Sequence, residues 1–405
     1  MHIGENQHCC GCGACQGICP VHAVKMKNDR EGFIRAYVAE EKCISCGMCT
    51  AVCPVSPDKS LFSETRKVFA AVNKDEDTVR RSSSGGVFSA LARELLDGKG
   101  AVYGCAMNEN IEAVHIRITD AGELDRLRRS KYVQSNTGET FEEVRKDLEE
   151  GRKVLYSGTP CQIAGLRLYL EKKCRDFKTW AGSLYCADLI CHGVPSPGMF
   201  AENIRFWQRR YSQSMDTYEF RLKPDNCRNI YFFFCVAGSG GVVWRPWYRD
   251  PYYEAFYNFK SYNEMCYQCP FACRDRVGDI TIGDYHWAAE HHEDLREKNQ
   301  GKSFSISCLL VNTEQGEHLL DQVKDKFDLY PTERKWVEER NKNLIRPTLR
   351  PRERDSIYQE IQTYGYGKWA AKYYVSWAYV RNLSLVRMLA RMKRKFKDGL
   401  KGGHV

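Results

Sequence analysis

The residues best able to do chemistry are the cysteines, of which the 405-residue chain has 20. Two runs share one spacing: Cys9-x2-Cys12-x2-Cys15-x3-Cys19-Pro20 and Cys43-x2-Cys46-x2-Cys49-x3-Cys53-Pro54, the second repeating the first 34 residues later. Closely spaced cysteines on a looped backbone put three thiolates on three irons of one 4Fe-4S cube, and the fourth must come from elsewhere. If the last cysteine of each run crosses to the other cluster, Cys9, Cys12, Cys15 and Cys53 form one set and Cys43, Cys46, Cys49 and Cys19 the second. Zinc also binds thiolates, but its sites show two CxxC pairs rather than two runs of four. Cys10 is left over as a spare thiol.

A third group is scattered. Cys266-x2-Cys269-x3-Cys273 offers one edge of a cluster, and the strand Asp279 to Ile282 delivers Gly283-Asp284 to the same place. Completion needs distant cysteines, and two stand at strand exits. The segment Gly151 to Leu166 reads as strand, sharp turn and helix, with Cys161 in the first helical turn, where the helix dipole favours a thiolate. The apolar strand from Leu184 ends at Cys191 and breaks into His192-Gly193-Val194-Pro195. Cys161, Cys191, Cys266 and Cys269 are the favoured ligands of a third 4Fe-4S cluster, with Cys273 competing for one place and a structural zinc as the alternative. His192 reads either as a base or ligand or as a structural histidine. Cys186 reads as core, and Cys105, Cys174, Cys227, Cys235 and Cys308 have no ligand spacing.

The elements that must position these groups follow from pattern. Arg35 to Val38 reads as a strand between the cysteine runs, and the turn-rich Val55 to Ser60 as a boundary. Lys67 to Val72 reads as a buried strand, followed by Ser82-Ser83-Ser84-Gly85-Gly86 and a helical pattern from Val87. Strand, small-residue loop and helix is the order of a phosphate cradle, although a serine N-cap gives the same pattern. The domains expected are 1–56 with two clusters, a linker 57–66, a body 67–350, and a basic helical tail 351–405.

Composition narrows the class. Hydrophobic residues make up 43% and charged ones 28%, a globular balance that sets disorder aside. The first residues have neither a basic nor an apolar signal region, so the cysteines read as metal ligands of an intracellular protein rather than disulfides. The net charge is +9, and Lys368 to Val405 carries ten basic residues against one acidic, so the remainder is balanced and a nucleic-acid-binding body is disfavoured. In that tail Trp369, Tyr373, Val380, Leu383, Val386, Leu389, Met392 and Phe396 approach helical spacing. Such a helix would lie on an anionic membrane surface, dock a partner, or pack on the body.

Residues 1–56 resemble the bacterial two-cluster ferredoxins. With Ser83-Ser84-Gly85-Gly86, Lys131-Tyr132-Val133-Gln134-Ser135, Ser157 to Gln162, Ile190 to Ser196 and Asp279 to Tyr285 in this order, the chain resembles the beta-subunit family of coenzyme F420 hydrogenases and dehydrogenases. The resemblance implies a ferredoxin-like domain followed by a mixed α/β flavin-binding domain, an α+β or α/β fold. It implies an FAD in the central domain, with Ser83, Ser84, Gly85, Gly86, Lys131, Tyr132, Gly158, Thr159 and Asp284 as its site, and Cys161, Cys191, Cys266 and Cys269 as a cluster beside it. Hydride exchange between FAD and coenzyme F420 or a similar organic substrate follows, with Lys131 or His286 able to supply a proton. His286 stands where relatives often place an aromatic pair, which bears on the substrate side. A ferredoxin-like protein or F420 is the implied electron partner, and an anaerobic cytoplasm, with possible attachment to the inner membrane face, the implied setting. The alternatives are a ferredoxin-fed flavin reductase of a biosynthetic intermediate such as a sugar derivative, and a non-catalytic electron-transfer subunit.

Overall fold

The computed structural model describes residues 8–174, 176–212, 214–222, 233–238, 241–295 and 306–373. Its first element after the opening cysteines is a short helix, Ala14–Ile18, followed by a hairpin of β1 (Val24–Asn28) and β2 (Ile34–Val38) with Val24 opposite Val38. The hairpin turns because Asp29 accepts the N–H groups of Glu31 and Phe33 on one oxygen, and Gly32, at φ +80°, supplies the left-handed residue.

The body is built on β3 (Lys67–Asn73), β4 (Ala101–Met107), β5 (Ala113–Ile118), β6 (Val154–Gly158) and β7 (Leu184–Leu189). Then come a small sheet of β8 (Thr217–Leu222), β9 (Phe233–Gly238) and β10 (Gly241–Pro246), and finally β11 (Ile280–Asp284), β12 (Ser307–Val311) and β13 (Phe327–Pro331). The large sheet has the order β13-β3-β12-β11-β7-β6-β4-β5. Its centre, β4, β6, β7 and β11, is parallel, and the flanking pairs are antiparallel. The central strands are apolar along most of their length because both faces are covered. On one face Leu91 and Leu95 of the helix Val87–Asp97 pack with Leu319 and Val323 of the helix Glu314–Val323. On the other, Val144 and Leu148 of the helix Thr140–Glu149 and Ile163 and Tyr169 of the helix Pro160–Lys173 share a core with Ala14 and Ile18. The N-terminal module is thus part of the body's own packing. The carboxyl ends of β6, β7 and β11 open on one edge, where sheets of this kind hold ligands.

A third core is aromatic. Phe200, Tyr218, Phe220, Tyr252, Tyr253 and Tyr262 gather beside the small sheet, and Tyr366 and Trp369 join them. Of the three placements open for the tail, its first part takes the last. Glu353–Tyr364 and Tyr366–Tyr373 are helices packed on the body, and Trp369 is buried. Burial of a large aromatic in an existing core outweighs surface docking of the same ring. Residues 374–405, and with them the basic end, lie outside the described residues. Among the described residues no helix is long and apolar enough to cross a membrane. Nor is 57–66 a free tether, because Leu61 is buried and Ser63 exchanges backbone hydrogen bonds with Arg276.

The helix Glu353–Tyr364 clamps the N-terminal hairpin. Arg354, fully buried, donates from both terminal nitrogens to Glu31 at 3.1 and 2.6 Å and from Nε to the Tyr262 carbonyl at 2.7 Å, its guanidinium lying 4.2 Å from the Tyr358 ring centre. Glu31, 29% exposed, keeps access to water when its partner is removed, so the loss falls on the hydrogen bonds and packing of the arginine. Arg354→Ala should therefore lower unfolding free energy by about 1.5–3 kcal/mol, measured by urea denaturation, and should expose the hairpin to protease before the large sheet.

Candidate functional site

Thr159 caps the helix that follows β6, closing a capping box in which the Thr159 N–H donates to Gln162 Oε1 at 3.0 Å, with Pro160 at the first helical position. Cys161 therefore projects from the first turn, its thiol 3.2 Å from the Thr159 hydroxyl. After β7, Cys191 lies two residues past Leu189, and Gly193 at φ +138° brings the backbone so close to Tyr262 that a Cβ would lie 2.2 Å from the ring. The Asn263 N–H donates to the Val194 carbonyl at 2.9 Å, and Asn263 caps the turn Glu264–Gln268 that carries Cys266. These stitches bring Cys161, Cys191, Cys266 and Cys269 around one small cavity. Cys273 is outside it, its thiol donating to the Asp275 carbonyl at 3.2 Å.

Arg276 fixes the remaining loop. Its side chain, 1% exposed, pairs with the fully buried Asp188 at 3.2 Å and donates to the carbonyls of Leu189 and Phe271 and to the Thr281 hydroxyl. Burial first, and then neighbouring cysteine charges, push up the thiols of Cys191, beside Cys161 and Cys269, and of Cys266, beside Cys191 and Cys269, and burial with the Cys161 charge brings Cys269 to about 12. For Cys161 the neighbouring Cys10 thiol and then burial push the thiol well up. Four buried, mutually repelling thiols deprotonate together only around a cationic centre, so the donor set fits a metal cluster. No three His, Cys, Asp or Glu side chains among the described residues are arranged to hold a single metal ion.

In the N-terminal module Cys15 lies within electrostatic reach of Cys9, Cys53 and Cys49, and Cys12 within reach of Cys15 and Cys9. Cys19 packs in a cluster with Cys43 and Cys49. Burial pushes Cys19 up, but the N–H groups of Val24, Ala23, Val21 and His22 outweigh it and bring the thiol below its ordinary value. Cys46 is exposed.

Against the wall formed by Thr159, Cys161, Cys191 and His192 lies a second cavity of about 400 Å³, within the range of cofactor sites. Ser83, Ser84, Gly86, Lys131, Tyr132, Gly158, Thr159, Asp284 and His286 all line it; Gly85 does not. The serine loop is more occupied than a free phosphate cradle. Ser83 Oγ lies 3.0 Å from Ser130 Oγ, Ser84 donates to the Ile306 carbonyl at 2.7 Å, and Gly85 N–H donates to Ser307 at 2.9 Å. The following helix starts from Gly86 at φ +85°, not from a serine cap. Tyr132 stacks on Phe256 with centroids 4.2 Å apart. Lys131 donates to the carbonyls of Arg126 and Arg128, and burial brings its amine down to about 8. His286 is 3.8 Å from Asp284, and burial lowers it.

Three lining residues give no signal in the sequence. Arg221, buried on β8 at φ +55°, grips Asp284 with two bonds of 2.7 and 3.1 Å and also donates to the Ser83 carbonyl. Burial raises Asp284, but the Arg221 charge and the His286 and hydrogen-bond contributions outweigh it and leave the carboxyl below its ordinary value. His115 stacks on Tyr156, has Ser135 Oγ at 3.1 Å and the Ser157 carbonyl at 3.2 Å, and burial takes it to about 4, so it is uncharged at neutral pH. Cys105, which has no ligand spacing, also lines the cavity. An arginine or histidine inside a strand does not reveal the cavity it faces.

Sequence profiles of known families agree with this geometry. The 4Fe-4S dicluster domain matches residues 8–56, and the N- and C-terminal parts of the coenzyme F420 hydrogenase/dehydrogenase beta subunit match residues 68–142 and 151–335, together well over half of the chain. The chain belongs to this beta-subunit family. It is similar to a subunit of the F(420)H(2) dehydrogenase of Methanosarcina mazei. The two are 30% identical over 202 residues, which is 47% of this chain and 56% of the relative, so the match spans little more than half of that protein's length. A chain in the solved, xenon-derivatized F420-reducing NiFe hydrogenase complex of Methanosarcina barkeri is 14% identical, with a TM-score of 0.46, covering 76% of this chain and 96% of that one.

Two outcomes follow from the site. Cys269→Ser should lower iron by about four atoms per chain, whereas Cys273→Ser should leave it unchanged, as counted by colorimetric iron and sulfide assay. Because the folded Lys131 loses its charge near pH 8, the attraction of the cavity for an anionic ligand should weaken as pH rises through that value. In Lys131→Arg, which stays charged, a fluorescence titration with FAD should show a flatter profile.

Proposed function

We propose that this chain is an iron-sulfur flavoprotein oxidoreductase that passes electrons between 4Fe-4S clusters and FAD, with hydride exchange between FAD and coenzyme F420 or a similar organic substrate. The observation that carries this reading is that a cavity ringed by Cys161, Cys191, Cys266 and Cys269 shares a wall with a larger cavity of cofactor size. A bound FAD exchanges electrons in pairs with an organic substrate and singly with iron-sulfur clusters.

The residues divide the work. Ser83, Ser84, Gly86, Gly158 and Thr159 line the cavity with small residues that let a ligand approach the backbone closely, and Arg128, Arg129 and Lys131 make the lining cationic, which suits a diphosphate. Tyr132 and Phe256 present aromatic faces to a planar ring. The Arg221–Asp284 pair fixes a charged, hydrogen-bonded edge in a site of low polarity, where it is worth more than in water. His286 at that edge, and Lys131 opposite, are the groups able to hold a transferable proton at Nε2 and Nζ. The dicluster domain, packed into the same core, supplies the route outward to a protein partner.

The test is anaerobic purification with iron, sulfide and flavin counted per chain, followed by mixing with reduced F420 or with reduced ferredoxin while flavin absorbance is followed. About twelve irons and one FAD, bleached by F420, support the proposal. The same content bleached only by ferredoxin moves the activity to a ferredoxin-fed reductase. Eight irons without flavin overturn the reading of the body.

A further inference from the structure

Cys10 is the one cysteine of the first run that spacing leaves without a role. In the structure it packs in one cluster with both Cys12 and Cys161, one from each cysteine set. It lines the four-thiol cavity and the larger cavity alike. This position is enforced from the body. Asn263 Nδ2 donates to the Cys9 carbonyl at 3.0 Å, Gln134 Nε2 to the Cys10 carbonyl at 3.1 Å, and Thr137 Oγ1 to the Cys12 carbonyl at 2.9 Å. Asn263 is also the residue that caps the Cys266 turn, so one side chain sets both cysteine segments. Gly165, one helical turn beyond Cys161, completes the approach: a Cβ there would lie 2.8 Å from Cys12 Sγ.

We propose that Cys10 is the electron bridge between the first cysteine set of the N-terminal module and the four-cysteine set of the body, a ligand of neither but the atom that fills the gap between them. The proposal rests on the reading above that both sets hold 4Fe-4S clusters. One electron leaves the reduced set and enters the oxidised one. No bond is made or broken at Cys10. A continuous chain of contacts transmits an electron better than a gap or an intervening water, and sulfur, soft and polarizable, is a better medium than the oxygen or methyl that could replace it.

The test uses the full chain, loaded and handled without oxygen, as wild type, Cys10→Ala and Cys10→Ser. Iron per chain and the low-temperature electron paramagnetic resonance of the reduced protein report assembly. Stopped-flow absorbance after mixing with a reduced viologen separates early bleaching of the iron-sulfur centres from later bleaching of the flavin. Both variants should keep wild-type iron and resonance signals and an unchanged early phase, while the late phase slows several-fold, more in Ala than in Ser. An unchanged late phase at full iron content overturns the bridge. Loss of about four irons in both variants also overturns it, by making Cys10 a ligand. A wild type that lacks body iron altogether overturns the underlying functional reading as well, and is distinguishable because it is seen before any substitution.

Discussion

The site hangs on one buried ion pair. Arg276 and Asp188 are almost wholly removed from water, a placement that costs several kcal/mol per ion, offset on the arginine side by its hydrogen bonds. The guanidinium uses its directions on separate pieces of chain: the end of β7 through Leu189, the loop holding Cys269 through Phe271, and β11 through Thr281. The directional demand of one planar cation thus ties the segment before Cys191 to the loop that carries Cys269. Lysine, a point charge with flexible donors, would satisfy the carboxylate and lose this geometry.

Around that centre the molecule repeats one solution. Polar side chains are buried where they can hold the backbone of a second segment. Gln134 takes the Ile34 N–H at 2.8 Å and reaches the Cys10 carbonyl, Ser196 holds the Glu31 carbonyl at 2.6 Å, and Arg354 holds Glu31 and Tyr262. Each unmade bond here would leave a buried polar group without water, which is why such seams are specific and intolerant of slippage.

The sequence is most legible where period and punctuation coincide. The buried strand from Lys67, the strand, turn and helix that present Cys161, and the strand ending before Cys191 are all in place, because Thr159-Pro160 and Gly193 leave the backbone few alternatives. Spacing already favours Cys266 and Cys269, but whether Cys161 or Cys273 joins them is not legible. That depends on tertiary placement: Cys161 lines the same cavity as the pair, while Cys273 turns to the Asp275 carbonyl. Arg221 is invisible for a different reason. Its partner Asp284 is 63 residues away, and its left-handed backbone is a property of the tertiary site, not of the strand it sits on. The tail stays open in the sequence because the spacing of Trp369 does not say whether lipid, a partner or an aromatic core covers it.

The shared core between the helix Ala14–Ile18 and the helix Pro160–Lys173 has a mechanical meaning. Gly17 sits so near Tyr169 that a Cβ would come within 3.2 Å of its ring, and Gly165 does the same for Cys12. Surfaces interlocked at that distance cannot rotate past one another without opening a cavity. Where carriers on flexible tethers deliver charge by swinging and docking, with rates that fall as the solvent thickens, this molecule holds its N-terminal module at rest against the body. On the proposed reading, its internal transfer is governed by a fixed distance and is indifferent to viscosity.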